Sequence, residues 1–246
     1  MLKSCVHSLL EGRDTLVVAI DGRSGAGKTT LATALAEKGH CSSFLTGLWS
    51  ACGVVCDNAL LSAWWEKHLE ALTASEHTKK GAAVIHMDDF FLPASKKLEK
   101  PSEVPFDYER FMEEVLPFLP PRNVRLRGDI PNIYQSEKRG YAPFTYRIYN
   151  CTLGDFSGVR QVTASPFYIV EGAYSCHPIL GDYMDFRIFC DIDADLQIKR
   201  IEARNGKEKA AEFANKWIPM EEEYFGKYDI KAKADLVIQG GKSWKN

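Results

Sequence analysis

Residues 15–32 read TLVVAIDGRSGAGKTTLA, and this stretch decides the fold. Thr15 to Ile20 is a β-branched, apolar run that stops at Asp21-Gly22, the pattern of a strand buried on both faces. Leu31 and Leu35 then stand four apart with Gly39 beyond them, which predicts a helix that starts near Lys28 and stops at the glycine. Between the two, GRSGAGKT at 22–29 matches G-x-x-x-x-G-K-[ST] in the strand, turn and helix setting that gives the pattern its meaning. Polyphosphate oxygens need several convergent main-chain N–H donors, and a glycine-rich bend supplies them by bringing the backbone close. Gly22, Ser24, Gly25, Ala26, Gly27, Lys28, Thr29 and Thr30 are therefore the expected nucleotide cradle, with the helix dipole behind them. Lys28 is placed to reach the β- and γ-phosphates, and the Thr29 hydroxyl to ligate Mg2+. ATP or GTP with Mg2+ is the expected cofactor set.

Outward from this stretch, strand and helix alternate. Ala83 to Met87, Phe167 to Val170, Phe186 to Cys190 and Ala234 to Ile238 are further apolar strands. Asp107 can cap a helix whose apolar positions Tyr108, Phe111, Met112, Val115 and Leu119 keep helical spacing until Pro117, Pro120 and Pro121 interrupt it. Leu61, Trp65, Leu69 and Leu72 fall on one face of another helix, and two more are expected at 195–205 and 207–217. Residues 122–165, rich in Gly, Pro, Asn and aromatics, read as short strands outside the central sheet. Five apolar strands separated by helices imply an α/β fold with a five-stranded parallel sheet and helices on both faces. No linker marks a second unit, so residues 1–246 read as one domain with insertions at 40–80 and 122–165.

Composition narrows the partners. With 45% hydrophobic and 26% charged residues the chain is of the ordinary globular class, and a net charge of −2 offers no general footprint for nucleic acid. Apolar runs are too short for a membrane span, and the first residues lack a signal-peptide core, so the expected location is cytoplasmic. Seven scattered cysteines fit reduced thiols better than a disulfide framework. Trp64, Trp65 and the nearby cysteines fit a core, and a homo-oligomer stays open.

Three strands end on an acid, Asp88, Glu171 and Asp191, and ligands of an open parallel sheet gather beyond those ends. A hydroxyl acceptor needs a base near its proton, and Mg2+ needs a carboxylate, so Asp88 and Glu171 suit those two roles. Asp191 reads as a cap for the helix that follows it.

The chain also resembles the uridine kinase family of P-loop kinases, particularly its bacterial uridine-kinase-like members. The resemblance runs through IDGRSGAGKTTLA at 20–32, MDDFFLP at 87–93, FDYERF at 106–111, YIVEGAYS at 168–175, FCDIDADLQIKRIEARNG at 189–206, WIPMEEEYF at 217–225 and ADLVI at 234–238. It implies a three-layer P-loop NTPase fold with a helical lid, the Glu171 strand lying beside the P-loop strand. It further implies Asp88 as general base, Glu171 as a Mg2+-side carboxylate, Arg200 and Arg204 as lid arginines, and Asp107 and Tyr149 on the acceptor side. The implied reaction moves the γ-phosphoryl of Mg-ATP or Mg-GTP to a hydroxyl of a nucleoside-like small molecule, uridine or cytidine first. The lid reads Lys199-Arg200-Ile201 and Arg204-Asn205 where many members have Arg-Arg and Arg-Asp, and Tyr149-Asn150 stands for Tyr-Asp. Two alternatives follow: a kinase for another small alcohol such as pantothenate, or a nucleotide-binding regulatory module with a degenerate site. A GTPase switch fits poorly, because Asp155 to Gly158 is the only D-x-x-G and no N-K-x-D follows.

Overall fold

A computed structural model of the chain describes residues 15–37, 82–92, 105–120, 142–165 and 167–240. The helix expected around Leu61 to Leu72, Trp64 and the cysteines beside it lie outside these residues. Strand β1, Leu16–Gly22, sits at the centre of a five-stranded sheet. Its alternate side chains enter two different cores, Val17 and Ala19 on one face, Val18 and Ile20 on the other, all at most 3% exposed. A strand covered on both faces has no solvent side, so its sequence is continuously apolar instead of alternating.

The described neighbours of β1 come from late in the chain. β5 (Phe167–Glu171) pairs on one side, from Leu16 opposite Phe167 to Ile20 opposite Glu171, and β6 (Phe186–Asp191) on the other, ending at Gly22 opposite Cys190. β2 (Ala83–His86) adds beyond β5 and β7 (Leu236–Gln239) beyond β6, giving the order β2-β5-β1-β6-β7 with every pairing parallel. All five strands expected from the sequence are present, and the Glu171 strand does lie beside the P-loop strand. The chain turns to opposite sides of β1, so the crevice beyond its carboxyl end is the place where such sheets take ligands.

Helix α1 (Lys28–Glu37) packs Leu31 and Leu35 on one face of the sheet with Ile169, Ile188 and Ile238. The other face carries α2 (Tyr108–Glu114), with Phe111 and Val115 fully buried. α2 stops at Val115, and a 3₁₀ turn, Leu116–Phe118, takes over at Pro117. β3 (Phe144–Asn150) and β4 (Asp155–Val162) form a separate antiparallel hairpin, the excursion outside the sheet that the sequence suggests. Tyr146, 1% exposed, roots the hairpin in the same core as Phe90 and Phe111.

α3 (Ala194–Asn205) is capped by Asp193, whose side chain accepts from the N–H groups of Asp195 and Leu196. That corrects the capping role expected for Asp191. Two residues earlier, Asp191 accepts instead from Arg23 Nε at 2.8 Å and Lys231 Nζ at 2.6 Å, and these partners hold it below the usual carboxylate range against the opposing effect of burial. α4 (Lys207–Glu212) runs through a π-helical turn, Phe213–Trp217, into α5 (Ile218–Tyr228). The sequence reading ended this helix at Trp217. Pro219 follows directly on the π-helical turn, where the hydrogen-bond ladder changes register (the Ile218 N–H goes to Phe213 O), and the helix continues through it. Among the described residues no helix is long and apolar enough to cross a membrane.

Candidate active site at the carboxyl ends of the strands

The P-loop bends where β1 runs out. Gly22 adopts φ +128°, and a Cβ there would lie 2.1 Å from the carbonyl oxygen of Cys190, so only glycine lets β1 and β6 stay paired at this point. The Arg23 N–H donates to that same carbonyl at 3.0 Å, and the Ala26 N–H closes a turn onto Arg23 O at 3.1 Å. The loop opens onto a cavity of about 810 Å³ lined by Ser24 to Thr30 and, across from other elements, by Asp88, Glu171, Tyr149, Arg200, Arg204 and Glu221.

Most of the expected site residues therefore meet in one space. Asp88 faces the cavity from the turn after β2 and is exposed to that space, and the protein around it still raises its carboxyl pKa by desolvation, Lys28 opposing and Glu171 and Asp89 adding to the rise. A carboxylate raised in this way holds a proton more readily, which suits a base that takes one from an alcohol. Its neighbour Asp89, the next candidate in sequence, is committed elsewhere: Arg160 Nε donates to it at 2.8 Å and Tyr146 Oη at 3.0 Å. Arg110 ties the same turn down through a 2.5 Å bond to the Asp89 carbonyl. The turn's second acid is an anchor that leaves the first free to face the cavity.

Lys28 Nζ donates to the carbonyls of Gly22 at 2.8 Å and Arg23 at 3.0 Å, folded back on its own loop. The Thr29 hydroxyl lies 3.3 and 3.2 Å from the two oxygens of Glu171, whose carboxylate is buried at the end of β5. Two oxygen ligands with room for water and phosphate oxygens match the coordination Mg2+ prefers, so these residues fit the ion. Among the described residues no group of three or more His, Cys, Asp or Glu side chains could hold a metal, so phosphate and water would have to complete the shell.

Arg200 and Arg204, one turn apart on α3, both line the cavity; Arg200 donates to Gly25 O at 3.2 Å and Arg204 to Asn205 Oδ1 at 2.7 Å. Tyr149 lines it from β3, with Phe156 edge-on at 5.9 Å. Phe91, Phe106, Tyr174, Phe213 and Trp217 make up much of the remaining wall. Two expected residues are not on the lining. Gly22 contributes the bend and a carbonyl for Lys28, and Asp107 is 2% exposed and caps α2 by accepting from the Arg110 N–H at 3.3 Å. Asp107 takes the capping role its sequence position also allows, and it lies off the cavity lining.

Sequence reasoning missed Glu221 and His86. Glu221, from α5, accepts from the Ser24 N–H at 3.0 Å and the Ser24 hydroxyl at 2.5 Å, and burial raises its pKa against the pull of Lys28 and Ser24. It stands in the run Glu221-Glu222-Glu223, which reads as a solvated face, and nothing local marks the one carboxylate that turns inward. Glu222 pairs with Arg23, which also holds Asp191, so α5 grips the loop through two adjacent acids.

No protein-family model matches the chain, and no curated protein matches it in sequence. Its fold does match solved structures. A possible uridine kinase from Bacillus stearothermophilus superposes with a TM-score of 0.50 at 17% identity, over 96% of this chain and 98% of the other. A candidate fructose transport system kinase from Silicibacter sp. TM1040 gives 0.51 at 18% identity, over 96% and 97%. At such identities the likeness is one of fold. The architecture is the α/β fold of P-loop kinases, with its central parallel sheet and the glycine-rich bend after β1.

Proposed function

We propose that the chain is a cytoplasmic, single-domain P-loop kinase that transfers the γ-phosphoryl of Mg-ATP or Mg-GTP to a hydroxyl of a nucleoside-like acceptor, with uridine and cytidine the leading choices. One observation carries the reading: Asp88, Lys28 and the Thr29–Glu171 pair open into a single cavity whose wall also carries Phe91, Phe106, Tyr149, Tyr174, Phe213 and Trp217 among its charged side chains. The kinase descriptions of both similar structures support phosphoryl transfer, and because they differ in acceptor, the acceptor is argued from the site. Flat aromatic surfaces such as Tyr149, Phe106 and Trp217 favour a planar base over a bare polyol.

In this mechanism the loop amides and Lys28 bind the phosphate tail, Lys28 exchanging the Gly22 and Arg23 carbonyls for phosphate oxygens. Asp88 accepts the acceptor's hydroxyl proton as that oxygen bonds to the γ-phosphorus and the bond to the bridging oxygen breaks, releasing the nucleoside diphosphate. Arg200 and Arg204 lie at the cavity wall where they can meet charge on the transferring group. Thr29 and Glu171 would hold Mg2+, which when bound offsets charge on the β- and γ-phosphates. The remaining task of the side chains is to exclude water, which otherwise competes with the alcohol.

The test is ADP or GDP release against a panel of nucleosides and small alcohols. A nucleoside should stimulate release, and Asp88→Asn should lower turnover by about 10²- to 10⁴-fold with nucleotide affinity preserved. Tight nucleotide binding with no acceptor stimulating release would refute the kinase reading in favour of a binding module.

A further inference from the structure

His86 closes β2 directly beside Glu171, the two being register partners in adjacent parallel strands. Its ring Nδ1 lies 2.6 Å from Glu171 Oε1, the shortest hydrogen bond of the Glu171 carboxylate among the described residues, while the same carboxylate faces the Thr29 hydroxyl. The Thr29 hydroxyl has one hydrogen and sits almost equally far from both oxygens, so it cannot by itself choose which oxygen turns to the cavity. An Nδ1–H bond to Oε1 makes that choice, fixing the carboxylate with Oε1 toward His86 while both oxygens stay within 3.3 Å of the Thr29 hydroxyl. The backbone holds His86 in place from the other side, since its N–H donates to the buried Tyr146 hydroxyl at 3.2 Å. Tyr146 is in turn bound to Asp89, so one chain of contacts runs from the anchored acid of the turn to the Glu171 carboxylate.

We propose that His86 is a positioning residue for the divalent cation: it locks the Glu171 carboxylate in the orientation that pairs one of its oxygens with the Thr29 hydroxyl. This rests on the kinase reading above, in which Thr29 and Glu171 hold the ion. His86 itself is a poor Mg2+ ligand, because the hard cation selects oxygen and tolerates little departure from octahedral geometry. The same intolerance makes the orientation of Glu171 matter, and groups that hydrogen-bond a metal's ligands change metal affinity by about 10- to 100-fold when removed.

The experiment compares wild type, His86→Ala and His86→Asn, the last because an asparagine amide nitrogen can take the position of Nδ1. Mn2+ binding is followed by electron paramagnetic resonance with a non-hydrolysable ATP analogue, and analogue binding is measured separately without metal. His86→Ala should weaken Mn2+ binding about 10- to 100-fold with metal-free analogue affinity unchanged, and His86→Asn should recover most of the loss. Mn2+ binding by His86→Ala within twofold of wild type, or an equal loss in both variants, overturns the assignment while leaving the kinase reading intact. Wild-type protein that binds neither analogue nor Mn2+ overturns both.

Discussion

Gly22→Ala should cost this protein far more than Gly27→Ala, although both glycines belong to one motif and both have positive φ. At Gly27, φ +96°, a Cβ would meet nothing within 4 Å, so the cost is backbone strain alone, about 1–3 kcal/mol. At Gly22, φ +128°, the same strain applies, and the Cβ also falls 2.1 Å from Cys190 O and 2.6 Å from Cys190 N. Both contacts are backbone atoms of β6, so no side chain can swing aside. Relief requires β1 and β6 to part by about an ångström at their carboxyl ends, which breaks the 3.0 Å bond from Arg23 N to Cys190 O and buries a poorly paired carbonyl, about 1–3 kcal/mol more. The sum, about 2–6 kcal/mol, is a large share of the stability of an ordinary domain. Urea unfolding should give a midpoint for Gly22→Ala well below that of Gly27→Ala, and an unfolding free energy several kcal/mol below wild type at constant slope. Equal midpoints for the two variants would refute the reasoning, since they would mean the sheet yields at Cys190 without cost.

Three further outcomes are expected. Lys28→Ala should abolish measurable nucleotide binding in a fluorescence titration while leaving the unfolding midpoint near wild type, because the hydrogen bonds of Lys28 among the described residues go to carbonyls of its own loop. Arg160→Ala should lower turnover and loosen the β3–β4 hairpin, read as faster amide exchange at Tyr146, and in combination with Asp89→Ala the losses should be less than additive, since the two share one ion pair. Burial raises the pKa of Glu221, so the folded state holds that proton more tightly than the unfolded chain does. Its contribution to stability is full below the ordinary carboxylate range and is lost as pH rises through the raised value. Glu221→Gln should therefore show a flatter decline of stability than wild type over that window in urea titrations at stepped pH, and parallel curves would contradict it.

The strands were legible because each is a short apolar run ended by an acid or a glycine, and a sheet covered on both faces leaves no other use for such a run. Asp88 and Glu171 were legible for the same reason, as acids at strand ends. What the sequence hid is tertiary. Asp107 looks the same whether it faces a ligand or caps Tyr108–Glu114, and only its burial decides. Asp191 and Asp193 are two residues apart, and the cap fell to the second because the first is taken by Arg23 and Lys231. α5 was concealed by Pro219 and an acidic run, and His86 by being an unremarkable strand residue until β5 is laid beside it.

Arg23, the second residue of the nucleotide bend, is fastened to Asp191 and Glu222, 168 and 199 positions further along the chain. The bend is thus completed by contacts that are remote in sequence. Until those distant segments are in place, the bend lacks its clasps as well as the two strands that flank β1, so it takes shape together with the sheet and not as a local unit.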